Sequence, residues 1–257
     1  MKLLKGLLNL VKQIEIMKRR EQEIGKLLEF LSKKSADFTK PKLVLIGGYA
    51  LRTFVPFSRY TRDCDFTLKK KNGWTLDEVK KWLSKNTIVE RFEKRDDYGF
   101  LRCIRVFDKT SIRASLDFME GKVVGRDEKR QVVIIDEKFV ENSQLVKLKV
   151  AEKEIEVFVP AYADYMILKI VSCRSSDVRD IATLIWKNKI PSQIRKRVKE
   201  ILPDPKVFKD NLRKIVIPEI SDERFVNSWR GMFLTSEFTE NIKHEVINQL
   251  RSLLKGG

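Results

Sequence analysis

Two aspartates stand at alternate positions in the segment Thr61–Phe66, which reads Thr-Arg-Asp-Cys-Asp-Phe. The apolar residues that follow predict a strand, and alternate residues of a strand point to the same face. Asp63 and Asp65 would therefore lie side by side, roughly 6.6 Å apart by the rise of the strand. At that spacing two carboxylates can share Mg²⁺ ions, and two such ions can clamp a phosphoryl transfer.

A double glycine precedes these carboxylates. Gly47 and Gly48 follow the apolar run Leu43–Ile46 and lead into Tyr49–Phe54, a predicted short helix that Pro56 ends. Glycines at such a junction allow backbone N–H groups and a helix N-terminus to approach a phosphate, although the same pair is common in simple turns. The GxGxxG and GxxxxGK[ST] fingerprints are absent, so neither a Rossmann site nor a P-loop is predicted.

A third carboxylate, Asp117, lies in the apolar frame of another predicted strand, Ser111–Phe118. A buried aspartate is costly without a partner. Two partners remain open for Asp117. It could share a metal with Asp63 and Asp65, which is the favoured interpretation, or it could form an ion pair with a nearby arginine.

Histidine is nearly absent, because His244 near the C-terminus is the one histidine of the chain. A Ser-His-Asp or Cys-His arrangement in the middle of the chain and a multi-histidine metal site are therefore excluded. His244 itself is predicted to lie at a surface or interface. Cys64, Cys103 and Cys173 are far apart without a CxxC motif, which is typical of a reducing cytosol and excludes a zinc ribbon.

The chain is strongly basic, with 53 Lys and Arg against 36 Asp and Glu and a net charge of +17. Such a charge favours a polyanionic partner through counterion release, with the alternative of a basic protein from a lysine-rich proteome. With no apolar run of membrane-spanning length, we expect a cytoplasmic protein without a membrane partner. Basic runs interleaved with aromatic residues would suit RNA. These runs are Lys18-Arg19-Arg20, Lys69–Lys71, Lys80-Lys81 and Arg195-Lys196-Arg197.

The remaining pattern predicts an α+β protein in which a small mixed or antiparallel sheet is flanked by helices. Residues 1–35 have helical periodicity. Residues after 191 read as helix, broken at Pro203-Asp204-Pro205 and at Pro218. We expect an N-terminal helical segment over 1–40, an α/β domain over 41–188 and an all-helical region over 189–257. Strands are predicted at 132–135 and in two hairpins, 100–107 with 111–118 and 145–150 with 155–159, and helices at 76–83, 161–172 and 177–186.

Taken together, Gly47–Phe66 resembles the first motif of the DNA polymerase β-type nucleotidyltransferases. Within that superfamily it is most similar to AbiEii-type toxins, which share a GG-x-A-L start and an [S/T]-x-D-x-D-F carboxylate pair. Pro160–Lys169 resembles the family's lysine-bearing helix, and Arg179–Leu184 resembles its [K/R]-D-x-x-D-L helix. One departure is Thr183, which stands where the family usually has a second aspartate. The likeness covers about residues 40–190.

The resemblance implies a nucleotidyltransferase sheet and transfer of a nucleoside monophosphate from an NTP, such as ATP, to an acceptor. Asp63 and Asp65 would hold two Mg²⁺ ions, and Asp117 would complete the metal site or act as base. Gly47 and Gly48 would receive the triphosphate. Lys169 would neutralise phosphate charge, and Asp180 would orient Lys169 or contact the nucleotide. From their positions, Arg52, Arg59 and Arg62 suit contacts to triphosphate or acceptor, or balance local acidity.

The acceptor stays open at this point. RNA, with a tRNA 3′ end as the leading case, follows from the net charge and from the resemblance to toxins that modify tRNA. One alternative is nucleotidylation of a protein or a small molecule such as an aminoglycoside. Another is a non-catalytic relative that keeps the fold, either an antitoxin partner or an RNA-binding protein. A cognate antitoxin protein is a further expected partner.

Overall fold

A seven-stranded sheet carries the two aspartates. The structure, a computed structural model, describes residues 2–33, 42–57, 59–69, 75–85, 89, 91–107 and 112–255. The strands of this large sheet are β1 (Val44–Ile46), β2 (Asp63–Leu68), β3 (Arg91–Arg95), β4 (Phe100–Phe107), β5 (Ile112–Glu120), β8 (Gln144–Val150) and β9 (Lys153–Val159). Two further strands, β6 (Lys122–Val124) and β7 (Val132–Ile134), form a separate pair.

Along the sequence, helices occur before, between and after the strands. They are α1 (Lys2–Lys33), α2 (Gly47–Phe54), α3 (Leu76–Lys85), α4 (Glu137–Glu141), α5 (Tyr162–Ser172), α6 (Ser175–Asn188), α7 (Ile194–Ile201), α8 (Lys206–Asn211), α9 (Ile217–Ser221), α10 (Phe225–Phe233) and α11 (Glu240–Lys255). A 3₁₀ turn spans Asp96–Tyr98 and a π-helical segment spans Leu212–Val216.

The chain forms two compact units. The first contains residues 1–49, 60–120 and 145–159, and therefore the large sheet with α1 and α3. The second contains residues 50–59, 121–144 and 160–257, and therefore the β6–β7 pair and the helices from α4 onward.

The strand order of the large sheet is β3-β4-β5-β2-β1-β9-β8. Antiparallel pairs join β3 to β4, β4 to β5 and β1 to β2, whereas β2–β5 and β1–β9 are parallel. Phe66 and Phe118 are register partners on β2 and β5, and their rings stack with centroids 5.4 Å apart. Such cross-strand aromatic pairs stabilise a sheet locally and fix the register of the two strands that hold the predicted carboxylates.

Helix α1 packs one apolar stripe within the first unit. Ile24, Leu27, Leu28 and Leu31 are buried, and their spacing is that of a single helical face. Farther along the chain, Thr75 caps α3, since its hydroxyl accepts from the backbone N–H of Glu78 at 3.4 Å.

An aromatic cluster forms the core of the second unit. Trp229 is fully buried, stacks on Phe238 with ring centroids 4.8 Å apart and meets Phe57 edge-on at 5.6 Å. The indole Nε1 of Trp229 donates to Thr183 Oγ1 at 2.8 Å, and the Thr183 hydroxyl donates to the carbonyl of Arg179 at 2.8 Å. Thr183, the departure from the family motif, therefore holds the central tryptophan of this core.

The chain continues as helix through Pro218, so the predicted break there is wrong. Proline lacks an N–H and its ring clashes with the carbonyl four residues earlier in a regular α-helix. The π-helical segment Leu212–Val216 precedes it, and Pro218 falls in the first turn of α9. A widened turn of this kind accommodates such a residue without ending the helix. The other predicted break, at residues 203–205, lies between α7 and α8.

The predicted α+β fold class is confirmed, as are both hairpins and the helices of the C-terminal region. The predicted turn over 69–73 and the connection 108–110 lie largely outside the described residues. The division at residues 40 and 188 stays a prediction. In the described ranges, no helix combines the length and apolar character needed to cross a bilayer.

Candidate active site

Three carboxylates share one face of the sheet in the first unit. Parallel pairing of β2 with β5 sets Asp63 opposite Ser115 and Asp65 opposite Asp117. Residues two apart on a strand, and residues paired across two strands, point to the same side, so these side chains form one row. The Ser115 hydroxyl donates to Asp63 Oδ1 at 2.8 Å and fixes the orientation of that carboxylate.

The first glycine of the pair lies directly against this row. Gly47 has φ of +72°, in the left-handed region that side chains disfavour. A Cβ at Gly47 would overlap the Asp65 carboxylate and would lie 2.9 Å from its Cγ. Glycine is therefore required where β1 turns into α2. The positive end of the α2 dipole consequently lies next to Asp65.

Arg102 partners Asp117. The two are register partners on β4 and β5, and the guanidinium donates to both carboxylate oxygens at 2.9 and 2.6 Å. The Asp117 side chain is 6% exposed. Burial raises the pKa of Asp117 above its usual range, Arg102 acts in the opposite direction, and the nearby charge of Asp63 adds to the rise. The ion pair that the sequence left open as an alternative is therefore present.

The donor set matches magnesium chemistry only in part. Carboxylate oxygens are the ligands that Mg²⁺ prefers, and Mg²⁺ is commonly held by one or two carboxylates together with substrate phosphates. Asp63 and Asp65 fit that role. Within the part of the chain that the structure describes, no group of three or more His, Cys, Asp or Glu side chains is arranged to hold a metal ion. The three-carboxylate metal site with Asp117 stays a prediction.

The predicted arginines divide between the two units. Arg62 is exposed immediately before β2 and belongs to the first unit with the carboxylates. Arg52 is half-buried on α2 in the second unit, and its Nη2 donates to the carbonyl of Arg59 at 3.3 Å. The contacts of Arg52 and Arg62 with a triphosphate or an acceptor remain predictions.

Lys169 and Asp180 form a buried ionic network in the second unit, which we call the lysine network. Lys169 Nζ lies 2.9 Å from Asp177 and 2.8 Å from Asp180, whose carboxylate also accepts from Arg59 at 2.8 and 2.9 Å. Burial opposes the charged forms, but the neighbouring carboxylates raise the pKa of Lys169. Lys169 and Arg59 in turn lower the pKa of Asp180. The predicted ion pair between Lys169 and Asp180 is therefore formed.

Sequence reasoning missed two members of these sites. Asp177 accepts from the backbone N–H of Arg174 at the start of α6. An acidic residue three positions after the N-cap residue of a helix is typical of a capping box, and this spacing could have identified Asp177. Arg102 lies in the predicted hairpin of β4 and β5. Because side chains alternate between the two faces of a strand, the sequence limits Arg102 to one of two faces of the sheet. Its pairing with Asp117 depends on the register, which the pattern alone does not specify.

One predicted RNA-binding run is occupied by internal contacts. Arg197 is buried and donates to Asp164 at 2.6 Å, to Asp136 at 2.6 and 2.7 Å, and to Glu200 at 3.0 Å. Arg195 donates to carbonyl oxygens near the end of α11. Arg195 and Arg197 therefore stabilise the second unit, and their guanidinium groups are largely occupied rather than available to bind RNA.

The chain matches one family model and aligns with several solved structures. Residues 29–228 match the family described as nucleotidyl transferase AbiEii toxin, type IV TA system. Among solved structures, a candidate nucleotidyltransferase of H. pylori aligns over 92% of this chain and 94% of that chain, with 15% identity and a TM-score of 0.49. JHP933 from Helicobacter pylori aligns over 93% and 92%, with the same identity and TM-score. The STING-associated CdnE c-di-GMP synthase from Capnocytophaga granulosa aligns over 93% and 80%, with 10% identity and a TM-score of 0.28. A comparison with curated proteins finds no match.

Proposed function

Because the chain belongs to the AbiEii nucleotidyl transferase toxin family of type IV toxin–antitoxin systems, we propose that it transfers a nucleoside monophosphate from an NTP to the 3′ end of an RNA, with tRNA the leading acceptor. The observation that carries this proposal is the row formed by Asp63, Asp65 and Asp117 beside Gly47, whose backbone conformation requires glycine. The net charge of +17 supports a nucleic acid as the acceptor.

Asp63 and Asp65 would hold Mg²⁺ together with the phosphates of the nucleotide, and two ions are expected. When bound, Mg²⁺ neutralises phosphate charge and polarises the phosphorus–oxygen bonds. Ser115 supports this assignment because it already orients Asp63 through a 2.8 Å hydrogen bond. The N-terminal turn of α2, beginning at Gly47 and Gly48, would receive the triphosphate through backbone N–H groups and the helix dipole.

Asp117 would accept the proton of the attacking hydroxyl. Its pKa is raised by burial, which makes it a stronger base than an exposed aspartate once it is ionised. In the transfer, the acceptor oxygen bonds to the α-phosphorus while the bond to the bridging oxygen breaks, and pyrophosphate leaves. Arg102 would keep the Asp117 carboxylate oriented through its two hydrogen bonds. Lys169 and Asp180 would complete the catalytic set, as the family motif implies.

Incubation of the purified chain with each labelled NTP, Mg²⁺ and total RNA tests the proposal. Wild-type protein should label RNA, and Asp63→Asn should lower the rate by at least about 100-fold because a metal-binding carboxylate is lost. Asp97→Asn is the matched control, since it removes an exposed aspartate that pairs with Arg95. Equal labelling of RNA and protein by wild type and Asp63→Asn would refute the assignment.

The destination of the label identifies the acceptor. Label removed by ribonuclease and absent from periodate-treated tRNA indicates the 3′ end. Label that resists ribonuclease and is removed by protease indicates protein nucleotidylation, and label on neither indicates a small molecule. Nucleotide transfer to a protein or a small molecule would overturn the RNA assignment while leaving the enzyme class intact.

A cognate antitoxin is the second proposed partner, and the type IV system named for the family supports it. Expression of the chain alone should slow growth, and co-expression of the protein encoded beside it should restore growth. Asp63→Asn is the control because a toxin that acts by nucleotidyl transfer should become harmless. Equal toxicity of the variant would contradict the proposal.

A further inference from the structure

Three arginines from three different elements lie at one end of the carboxylate row. Arg20 is on α1, Arg62 directly precedes β2 and Arg113 is on β5. The Nε of Arg20 donates to the backbone carbonyl of Arg113 at 2.8 Å, which ties α1 to β5. Because Asp63 pairs with Ser115 in parallel strands, the residues just before them lie at the same end of the sheet. We call Arg20, Arg62 and Arg113 the arginine rim.

The arginine rim is not neutralised by ion pairs within the described residues. None of the three forms an ion pair with any residue in the described ranges, whereas Arg59, Arg102 and the buried arginine of α7 each bind carboxylates. Arg62 and Arg113 are exposed and Arg20 is half-buried. Burial and the like charge of Arg62 lower the pKa of Arg20, and Asp63 acts in the opposite direction. The guanidinium groups of Arg20 and Arg62 therefore repel each other, and a bound anion would relieve that repulsion.

The position of the rim separates it from the glycines. Gly47 directly follows β1, the neighbour of β2 on one side, and packs against Asp65. Arg113 lies on β5, the neighbour of β2 on the other side. The two features that suit phosphate therefore lie on opposite sides of β2. If the glycines receive the triphosphate, the rim is left to the other phosphate-bearing substrate, which is the acceptor.

We propose that the arginine rim binds a backbone phosphate of the acceptor nucleic acid and aligns its terminal hydroxyl with the carboxylate row. The proposal rests on the proposed function. Guanidinium groups recognise phosphate through paired N–H donors, and the side-chain Nη groups of Arg20 are the ones left for this contact, since its Nε is already used. Arg20 precedes residue 29, where the family match begins. Arg20 of the rim therefore lies in the part of α1 that precedes the segment matched to the family.

Fluorescence anisotropy with labelled tRNA, on the full chain at several salt concentrations, tests the rim. Arg62→Gln and Arg113→Gln should each weaken binding about three- to tenfold near 0.1 M salt and lower the salt slope by close to one unit. Arg251→Gln is the matched control, because it removes an exposed arginine from α11 in the second unit. The control should bind tRNA within about twofold of wild type.

Arg20 needs a second variant because its hydrogen bond to Arg113 is structural. Arg20→Gln removes the charge and Arg20→Lys keeps it, and both lose the Nε donor. Arg20→Gln should weaken tRNA binding and lower the salt slope by close to one unit, whereas Arg20→Lys keeps the charge and should keep the salt slope of wild type. A salt slope of Arg20→Gln equal to that of wild type would overturn the phosphate role of Arg20 and leave a structural one.

Binding of a nucleotide analogue shows whether the arginine rim contacts the NTP or the acceptor RNA. A non-hydrolysable NTP analogue with Mg²⁺ should bind the rim variants within about twofold of wild type. Reduced analogue affinity with unchanged tRNA affinity would overturn the acceptor assignment. Equal loss of tRNA affinity in rim and control variants would overturn the rim itself. If wild type binds tRNA through the rim but transfers no nucleotide, the rim stands and the proposed function fails.

Discussion

Replacement of Asp180 by asparagine should unfold the second unit far more easily. Asp180 has no exposed side-chain surface and receives two hydrogen bonds from Arg59 at 2.8 and 2.9 Å and an ion pair from Lys169 at 2.8 Å. Removing one partner from a buried ionic cluster costs about 3–5 kcal/mol, because the remaining charges stay desolvated. At about 2–4 °C per kcal/mol for a chain of this size, the melting temperature should fall by roughly 6–20 °C.

Urea unfolding at 25 °C, followed by tryptophan fluorescence, measures this loss, since Trp229 lies in the same unit. Asp177→Asn is the comparison variant, because Lys169 loses its 2.9 Å contact to Asp177 but keeps Asp180. It also weakens the cap to the backbone N–H of Arg174, and it should cost about 1.5–3 kcal/mol in total. The pH dependence gives a second readout. The pKa of Asp180 is lowered in the folded state, so its stabilisation is present above the unfolded pKa of about 3.9 and is lost as the pH falls through the folded value.

The difference between wild type and Asp180→Asn should therefore be constant from neutral pH down to about pH 4 and should shrink below that. The reasoning would be refuted by a variant within about 1 kcal/mol of wild type, since that is the range of an ordinary exposed ion pair. A difference that does not shrink in acid would also contradict it, because the network would then not depend on the ionised carboxylate.

Three further results are expected. Gly47→Ala should lower the free energy of unfolding, measured in urea, by at least about 1–2 kcal/mol, since it places a side chain at positive φ against a carboxylate. Gly231→Ala is the control and should be neutral or stabilising, because open space surrounds the new Cβ. Thr183→Val should cost about 1–3 kcal/mol because the buried indole N–H of Trp229 loses its acceptor, and Thr183→Ser should retain most of the stability. Burial raises the pKa of the Cys103 thiol, so mass spectrometry should find no DTNB adduct at Cys103 under native conditions at pH 8 and complete labelling in urea; rapid native labelling would contradict the buried position.

Sequence patterns predicted the placement of the carboxylates and of the glycine junction. The alternation that places Asp63 and Asp65 on one face is a property of any strand, so it required no knowledge of the partners. The Gly47 junction was equally readable, because an apolar run followed by two glycines marks a sharp turn of the chain. The third carboxylate was found for the same reason, as an acidic residue within an apolar strand.

What the sequence could not specify was pairing. The contact of Arg102 with Asp117 and the contact of Arg59 with Asp180 join residues through register and tertiary packing, which no local pattern encodes. Strand β3 was missed because Arg-Phe-Glu-Lys-Arg holds one apolar residue and resembles a solvated loop. The continuation of helix through Pro218 depends on a π-helical turn that proline rules do not anticipate.

The interleaving of the two units has a consequence for how the protein is made. The chain passes from one unit to the other after residues 49, 59, 120, 144 and 159. The strand that pairs with β1 in parallel is β9, so the sheet gains this partner only when residue 159 has left the ribosome. The carboxylate row needs only β2 and β5, so these strands can pair once residue 120 has emerged, whereas β1 lacks its second neighbour until β9 is translated. The face that carries the aspartates can therefore form first, and β8 and β9 join the sheet only after residues 121–144 of the second unit have been made.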